Sequence, residues 1–267
     1  MNTGETFREA TDAHIRFAAV SKAYGTTRIL TDFSLDVRRG EILAVLGSSG
    51  CGKTTLLKLV NGLLRPDGGA VLIDGRDIAQ EDRVALRRTI GYAIQGVGLF
   101  PHMSVRQNIG YVPMLLRMPP EDAARAVERC AALAGVGSEL WERRPAALSG
   151  GQQQRVGLAR ALAASPRILL MDEPFGAVDG ITRRALQDAL RDIHAALGTT
   201  VLFVTHDVAE AMLLGDRVLI MDRGRIEQLG TPREVMERPQ TPFVARLVEA
   251  GPARCRCVET PSGVPGH

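Results

Sequence analysis

The chain has 267 residues, of which 45% are apolar, 24% charged and 4% aromatic, and its formal net charge is +3. This composition supplies enough apolar material for a globular core and excludes a disordered chain, a collagen and a coiled-coil rod. The longest apolar stretches, such as residues 168–171 and 201–204, have the length of buried strands, whereas a membrane-spanning helix needs about 18 apolar residues or more.

The first residues, the cysteines and the charge narrow the class of protein further. Residues 1–12 are polar and acidic and lack the basic and apolar regions of a secretory signal, so we expect a cytoplasmic protein. The cysteines, at positions 51, 130, 255 and 257, are too few and too scattered for a disulfide scaffold. The net charge is too small to indicate a nucleic-acid partner, and we expect none.

Strands and turns with one helix are predicted for roughly the first ninety residues. His14 to Val20, and then residues 33–37, alternate as strands with one buried face do. Residues 41–46 predict a strand buried on both faces, followed by a Gly-rich loop and a helix from Lys53 to Leu64. Asp74 and Gly75 predict a hairpin turn.

Helical spacing replaces this pattern between about residues 104 and 165. Beyond that segment strands and helices alternate again, which indicates an α/β arrangement. The predicted elements are a strand at 168–171, a helix at 182–197, a strand at 200–204, a helix at 208–214 and a hairpin at 217–229. The Pro-, Gly- and Cys-rich residues after Gly251 predict a flexible tail.

Residues 47–54, Gly-Ser-Ser-Gly-Cys-Gly-Lys-Thr, match a phosphate-binding loop placed between a strand and a helix. Glycines let backbone N–H groups face the phosphates, and the helix start adds its positive dipole end. In this pattern Lys53 reaches the terminal phosphates and Thr54 offers an oxygen to Mg²⁺. A Gly-rich turn without a ligand is the alternative. The predicted nucleotide-binding residues here are Gly47, Ser48, Ser49, Gly50, Cys51, Gly52, Lys53, Thr54 and Thr55.

Two carboxylates end the predicted strand at 168–171. Asp172 is placed to hold Mg²⁺ through water, and Glu173 to orient or deprotonate an attacking water. Taken alone this pattern is weak, because many buried strands end in acids. The phosphate loop upstream favours the catalytic interpretation.

The segment Leu148-Ser-Gly-Gly-Gln152 combines a tight turn with a helix start, which presents free N–H groups to an anion. By itself it indicates a capped structural helix. The ordered set of motifs, however, resembles the nucleotide-binding subunit of an ABC transporter from about Ala13 to Glu249. That set consists of Lys53, Gln95, Ser149-Gly-Gly-Gln152, Asp172-Glu173, Asp179 and His206.

The resemblance implies an α/β fold built on a P-loop NTPase core with a mostly parallel sheet. An N-terminal antiparallel β subdomain and an inserted α-helical subdomain, at about residues 97–165, would join this core. The ATPase domain would span residues 13–250, with flexible ends at 1–12 and 251–267. ATP and Mg²⁺ are the implied ligands, and ATP hydrolysis the implied activity.

The resemblance also implies a head-to-tail dimer, either of two copies or with a paired ATPase subunit. In such a dimer Ser149, Gly150, Gly151 and Gln152 would contact the γ-phosphate of ATP on the other protomer. Asp179 matches the loop that crosses the dimer interface, although Gly-Ala-Val-Asp departs here from the commoner Ser-Ala-Leu-Asp.

Three further roles follow from the resemblance alone, and each has a structural alternative. Tyr24 would stack on adenine but is also compatible with a half-buried structural tyrosine. Gln95 would link the Mg²⁺ site to the helical subdomain, although by position it is only a polar residue after a strand. His206 would contact the γ-phosphate and the attacking water, whereas a hydrogen-bonded structural histidine is the usual alternative. We thus assign catalysis to Lys53, Gln95, Glu173 and His206, and Mg²⁺ to Thr54, Gln95 and Asp172.

Residues 90–105, 112–116, 172–176 and 181–184 are similar to importers of glycine betaine, choline and related quaternary amines. This implies a peripheral subunit on the cytoplasmic face of the membrane, with transmembrane permease subunits and an extracytoplasmic solute-binding protein. The apolar loop 98–101 would receive a cytoplasmic permease helix. Many such relatives carry cystathionine-β-synthase-type domains after the ATPase; the chain ends at His267, so we expect no sensing of ionic strength through them.

One alternative function stays open, that of an importer ATPase for another solute, such as an amino acid. Two other functions are disfavoured by features of the sequence. A soluble ABC ATPase acting on DNA or ribosomes would carry long insertions that the segment before Ser149 lacks, and a non-hydrolysing binder would not need Glu173 and His206. Cys255 and Cys257 lack the spaced ligands of a metal site, and the pairs 87–88 and 183–184, all arginines, predict solvated helix faces.

Overall fold

The computed structural model describes residues 13–94, 96, 98–176 and 178–250. The two predicted flexible ends and Gln95 therefore lie outside the described residues. Nothing in the described part resembles a membrane span, because its helices are too short or too polar.

Two β-sheets form the framework. The first is antiparallel, in the order β2-β1-β4-β5, and contains β1 (Ala13–Tyr24), β2 (Thr27–Arg38), β4 (Gly68–Ile73) and β5 (Arg76–Asp77). The second has the order β10-β9-β3-β8-β7-β6 and contains β3 (Ile42–Gly47), β6 (Ile90–Ala93), β7 (Ile168–Asp172), β8 (Thr200–Val204), β9 (Arg217–Asp222) and β10 (Arg225–Gly230). Only the β9–β10 pair of this sheet is antiparallel.

Ten α-helices are found among the described residues. They are α1 (Lys53–Val60), α2 (Arg83–Thr89), α3 (Val105–Ile109), α4 (Tyr111–Leu115), α5 (Pro120–Leu133), α6 (Gly150–Leu162), α7 (Gly180–Leu197), α8 (Val208–Leu214), α9 (Pro232–Glu237) and α10 (Pro242–Ala250). Short 3₁₀ turns cover Ile78–Gln80, Ser138–Leu140 and Pro145–Ala147.

The parallel sheet separates two hydrophobic clusters. Every residue of its strand β3 is buried, so both faces of the sheet are covered there. Leu43 and Val45 pack with α1 and the antiparallel sheet, whereas Ala44 and Leu46 pack with helices on the other face. Burial of each Leu or Val side chain stabilises the fold by about 1.5–3 kcal/mol. Helices α3–α6 all lie between β6 and β7 in the chain, yet these two strands pair directly. The predicted fold class, a parallel core with an N-terminal antiparallel sheet and inserted helices, is confirmed.

Four helices differ from the sequence-based prediction. Helices α9 and α10 were not predicted, since no element was assigned between the hairpin at 217–229 and Gly251. Helix α2 was absent from the predicted order of elements, although arginines 87–88 were expected on a helix face, because none of its residues is buried. Asp82 caps it by accepting from the N–H groups of Val84 and Ala85. Helix α1 ends at Val60, with Asn61 as its cap, where we predicted an end at Leu64. Gly62, in a left-handed conformation at φ +66°, turns the chain away from the helix.

Candidate active site

The loop between β3 and α1 is shaped to hold an anion. It lies at the carboxyl end of the central strand, between Gly47 and Lys53. Gly50 and Gly52 have φ values of +76° and +110°, a left-handed region that favours glycine. The first N–H groups of α1 have no partner within the helix, and no acidic side chain occupies its first turn. These groups leave the loop open to a phosphate.

The Lys53 ammonium is held inside this loop. Its Nζ donates to the carbonyl oxygens of Gly47 and Ser48, each at 2.9 Å, and Lys53 is buried. Ser48 in turn donates from Oγ to Oδ1 of Asp222 at 2.6 Å. A phosphate oxygen is a stronger partner for an ammonium than a carbonyl group, so Lys53 can exchange these bonds for a bound nucleotide.

Cys51 packs into the protein rather than facing a ligand. Its side chain belongs to the hydrophobic cluster of α1 and the antiparallel sheet, and burial raises the pKa of its thiol. Its carbonyl oxygen accepts from the N–H of Gly224 at 3.1 Å. Its N–H donates to the Ser48 carbonyl at 3.3 Å, a long bond that it can exchange for a phosphate oxygen.

Asp172 and Thr54 place two oxygen donors side by side. The Thr54 hydroxyl donates to Oδ1 of Asp172 at 3.2 Å. Burial, and to a smaller extent the neighbouring Glu173 carboxylate, raises the pKa of Asp172. Hydroxyl and carboxylate oxygens are the donors that Mg²⁺ prefers. No group of three or more His, Cys, Asp or Glu side chains that could hold a metal ion is found among the described residues.

Glu173 and His206 meet because their strands pair in parallel. Asp172 at the end of β7 lies opposite Val204 at the end of β8, and the Glu173 N–H donates to the Val204 carbonyl at 2.9 Å. Oε1 of Glu173 then lies 3.3 Å from Nδ1 of His206. Glu173 has a φ of +49°, which is rare for a residue with a side chain. Such strain is concentrated at functional sites.

One cavity of about 630 Å³ unites these residues. It is lined by Ile29, Gly47, Ser49, Gly50, Gly52, Lys53, Thr54, Thr55, Glu173, Val204 and His206. Ile29 was not identified from the sequence, since no local pattern distinguishes it from other apolar strand residues. Tyr24 is not among the described residues that line the cavity; its side chain is half exposed at the end of β1.

The segment Ser149–Gln152 lies outside this cavity and forms the start of α6. Ser149 Oγ accepts from the Gln152 N–H at 3.3 Å, and Oε1 of Gln152 accepts from the Ser149 N–H at 2.9 Å. Such a capping box stabilises a helix start. Ser149 and Gly150 are exposed and no acidic residue occupies the first turn, so this surface can meet an anion from another molecule.

Asp179 caps α7 and is fully engaged locally. Its carboxylate accepts from the N–H groups of Ile181 and Thr182 at 3.1 and 3.0 Å, and from the Thr182 hydroxyl at 2.7 Å. The bonds from Thr182, and to a smaller extent that from Ile181, lower the pKa of Asp179. These bonds give Asp179 a structural role as the cap of α7. The neighbouring Ile181 is 87% exposed.

An apolar surface lies beside the loop that follows residue 97. The Phe100 and Tyr111 rings pack with centroids 4.5 Å apart, and Arg160 donates to the Gly98 carbonyl at 2.8 Å. A cavity of about 570 Å³ on the helical segment continues this surface along Met103, Met114 and Val127. Met114 is 59% exposed.

Comparison with known proteins agrees with this geometry. The profile of the ABC transporter family matches residues 30–176. The chain is 46% identical over 235 residues to the glycine betaine/carnitine/choline transport ATP-binding protein OpuCA of Bacillus subtilis, covering 88% of this chain and 62% of that protein. It is also 46% identical over 233 residues to the glycine betaine uptake system ATP-binding protein YehX of Escherichia coli, covering 87% and 76%.

The similarity extends beyond amine transport. The sulfate/thiosulfate import ATP-binding protein CysA of Bordetella parapertussis is 46% identical over 233 residues, covering 86% of this chain and 65% of that protein. Among solved structures, the dimeric ATP-binding cassette MJ0796 in a post-hydrolysis state with ADP and Pi superposes with a TM-score of 0.75 at 31% identity, covering 82% and 99%. The chain spans less than two thirds of the length of OpuCA and CysA.

Proposed function

Because this chain belongs to the ABC transporter family, we propose that it is the ATP-hydrolysing subunit of an importer of a small solute. The observation that carries the proposal is the single cavity shared by the phosphate-binding loop, Glu173 and His206. A loop alone would bind nucleotide, whereas a carboxylate and an imidazole at its open end supply what hydrolysis needs.

The triphosphate is bound by the loop itself. Backbone N–H groups of Ser48, Ser49, Cys51 and Thr55 surround the phosphates, while the glycines permit their close approach. Lys53 moves its ammonium from two loop carbonyls to the terminal phosphates. Tyr24, half exposed at the end of β1, stacks on the base.

Thr54 and Asp172 hold Mg²⁺, together with Gln95. The 3.2 Å contact between the Thr54 hydroxyl and the Asp172 carboxylate keeps the two donors adjacent. A bound ion would supply positive charge that neutralises the phosphates. Burial raises the pKa of Asp172, so the carboxylate favours a cation that compensates for its lost hydration.

Glu173 acts on the water that attacks the γ-phosphorus. As the water oxygen bonds to phosphorus, Glu173 accepts its proton and the bond to the ADP oxygen breaks. His206, with Nδ1 3.3 Å from Oε1 of Glu173, orients that carboxylate and leaves its other ring nitrogen for the γ-phosphate. His206 is largely exposed, and a partner subunit that closes over the cavity excludes water from it.

Closure requires a second cassette, identical or paired, arranged head to tail. The segment Ser149–Gln152, exposed at Ser149 and Gly150, points its helix start at the γ-phosphate of the nucleotide on the other protomer, and Asp179 lies at the interface. This arrangement explains why the capped start of α6 lies outside the cavity of its own chain. Removal of the γ-phosphate then weakens the dimer, and this opening and closing drives the transporter.

The partners are transmembrane permease subunits and an extracytoplasmic solute-binding protein, and the chain lies on the cytoplasmic face of the membrane. The apolar surface around Phe100, Tyr111 and Met114 receives a permease helix. We propose a quaternary amine such as glycine betaine, choline or carnitine as the solute, on the basis of similarity to OpuCA and YehX.

The hydrolytic role is tested with Glu173→Gln, which keeps the side-chain shape and removes its basicity. We expect the ATPase rate to fall by about 10² to 10⁴ while nucleotide binding persists, and an ATP-bound dimer to accumulate in size-exclusion chromatography. Glu128→Gln, on the exposed face of α5, is the matched control and should leave both unchanged. An unaltered ATPase rate in Glu173→Gln would refute the assignment.

The solute is tested on the complete transporter. The solute-binding protein that co-purifies with the permease is titrated with glycine betaine, choline, carnitine and, because of the similarity to CysA, sulfate. Binding of an amine that also stimulates ATP hydrolysis supports the proposal. Binding of sulfate alone would replace the amine assignment and leave the ATPase assignment intact.

A further inference from the structure

Arg183 does not lie on a solvated face, although it was predicted to do so together with its neighbour Arg184. The Arg184 side chain is 61% exposed and pairs with Asp188 one turn away. The Arg183 side chain is only 36% exposed, and its Nε is buried without a hydrogen-bond partner. Two adjacent arginines thus have different environments, because α7 turns one towards α8 and the other towards water.

Arg183 faces the segment that carries His206. Its Nη1 lies 3.6 Å from Oδ2 of Asp207, and its Nε lies 3.7 Å from Oε1 of Glu210. Oε2 of the buried Glu210 accepts from the Thr205 hydroxyl at 2.5 Å. The Thr205 hydroxyl oxygen accepts in turn from the Asp207 N–H at 3.1 Å. His206 therefore sits between two residues whose positions depend on the partners of Arg183.

The same turn of α7 touches the start of α6. A Cβ at Gly151 would lie 2.7 Å from Cγ2 of Thr182, so only a glycine permits this approach. Thr182 is held by its bonds to Asp179. One helical turn thus contacts both the segment around His206 and the segment Ser149–Gln152.

We propose that Arg183 is a positioning residue that links the γ-phosphate end of this chain's own cavity to the segment it presents to the partner's nucleotide. The inference rests on the proposed function, since the two segments serve different nucleotides only in a head-to-tail dimer. Movement of His206 on binding or loss of the γ-phosphate is passed through Glu210 and Arg183 to α7, and through Thr182 to Gly151.

The distances suit a contact with two states. Charge-assisted N–H···O bonds are about 2.7–2.9 Å long, whereas both contacts of Arg183 are 3.6–3.7 Å. A relative shift of α7 and α8 by roughly 0.8 Å would convert them into hydrogen bonds. Such a conversion depends on the position of the residues around His206, and it therefore makes the arrangement of α7 sensitive to the γ-phosphate.

The test compares Arg183→Met with Arg184→Met, which removes the same charge from the next position of the same helix. For each variant and the wild type, ATPase rates are measured against ATP concentration, and affinity for a fluorescent ATP analogue is measured separately. We expect Arg183→Met to lower kcat by about 2- to 30-fold and to reduce the Hill coefficient towards 1. Analogue affinity should stay within about twofold, because Arg183 does not line the cavity. Arg184→Met should behave as the wild type.

Arg183→Lys keeps the charge and provides a second variant in case Arg183→Met does not fold. We expect it to restore part of the Hill coefficient, because an ammonium reaches only one of the two carboxylates at a time. A wild-type Hill coefficient in either Arg183 variant, with or without a lower rate, would overturn the inference. A wild type that hydrolyses ATP without cooperativity would also overturn it. Absence of ATP hydrolysis in both the wild type and Arg184→Met, even with the permease, would instead refute the proposed function.

Discussion

Asp172→Asn should stabilise the nucleotide-free protein while it impairs the reaction. Asp172 is 5% exposed at the end of a strand buried on both faces. Its ionised carboxylate has lost most of its hydration and lies beside a second carboxylate, that of Glu173, so its pKa is raised. The compensating bond from Thr54 is long, at 3.2 Å. An asparagine has nearly the same shape, can accept the same bond and carries no charge.

The expected gain is about 0.5–2 kcal/mol in the free energy of unfolding, the range typical of single stabilising substitutions. For a domain of this size that corresponds to a rise of a few degrees in Tm. Thermal unfolding is measured at pH 7 with a chelator and without nucleotide. Asp188→Asn, at an exposed position of α7, is the control and should change little, since its pair with Arg184 is worth about 0.3–0.5 kcal/mol.

The pH dependence separates this explanation from a simple packing effect. A carboxyl whose folded pKa is raised contributes stability that is present below its unfolded pKa, about 3.9, and is lost as pH rises through the folded pKa. The advantage of Asp172→Asn should therefore shrink as the pH is lowered from 7 towards about 4. With ATP and Mg²⁺ the order should reverse, because the wild type gains more from ligand binding. A lower Tm of the variant at pH 7 without ligand would refute the reasoning.

Substitutions at two further positions probe nucleotide binding. Lys53→Ala should weaken binding of a labelled ATP analogue by about tenfold or more, the scale of a lost charge-assisted bond, and a wild-type affinity would show that the Lys53 ammonium does not reach the phosphates. Tyr24→Phe should retain base affinity because the ring is kept, whereas Tyr24→Ala should lose about 1 kcal/mol or more of stacking energy; equal affinity of both variants in the same titration would assign Tyr24 a structural role.

The local motifs could be predicted because neighbouring residues determine the chemistry of each motif. The loop from Gly47 to Thr54 requires glycine at left-handed positions and a strand and helix on either side, and all of these are contiguous in the chain. The capped start of α6 at Ser149 is recognisable for the same reason. The roles of Tyr24, Gln95 and Asp179 were inferred only from resemblance, and they stay predictions.

Other features could not be predicted, because they depend on which segments become neighbours in space. Helix α2 has no buried face and hence no apolar period to detect. The cavity residue Ile29 and the Ser48 partner Asp222 are ordinary residues until the two sheets meet. Ile29 and Asp222 are placed by contacts between segments that are distant along the chain.

Short segments of the sequence indicate which groups could bind and hydrolyse a nucleotide, since side-chain chemistry and local backbone freedom are local properties. How these groups meet depends on contacts between distant segments. The parallel register of β7 and β8 brings Glu173 to His206. Contacts with Asp207 and Glu210 leave the Arg183 side chain 36% exposed, whereas that of Arg184 is 61% exposed. Identical neighbouring residues differ here because burial is set by the surrounding fold, and no local pattern encodes it.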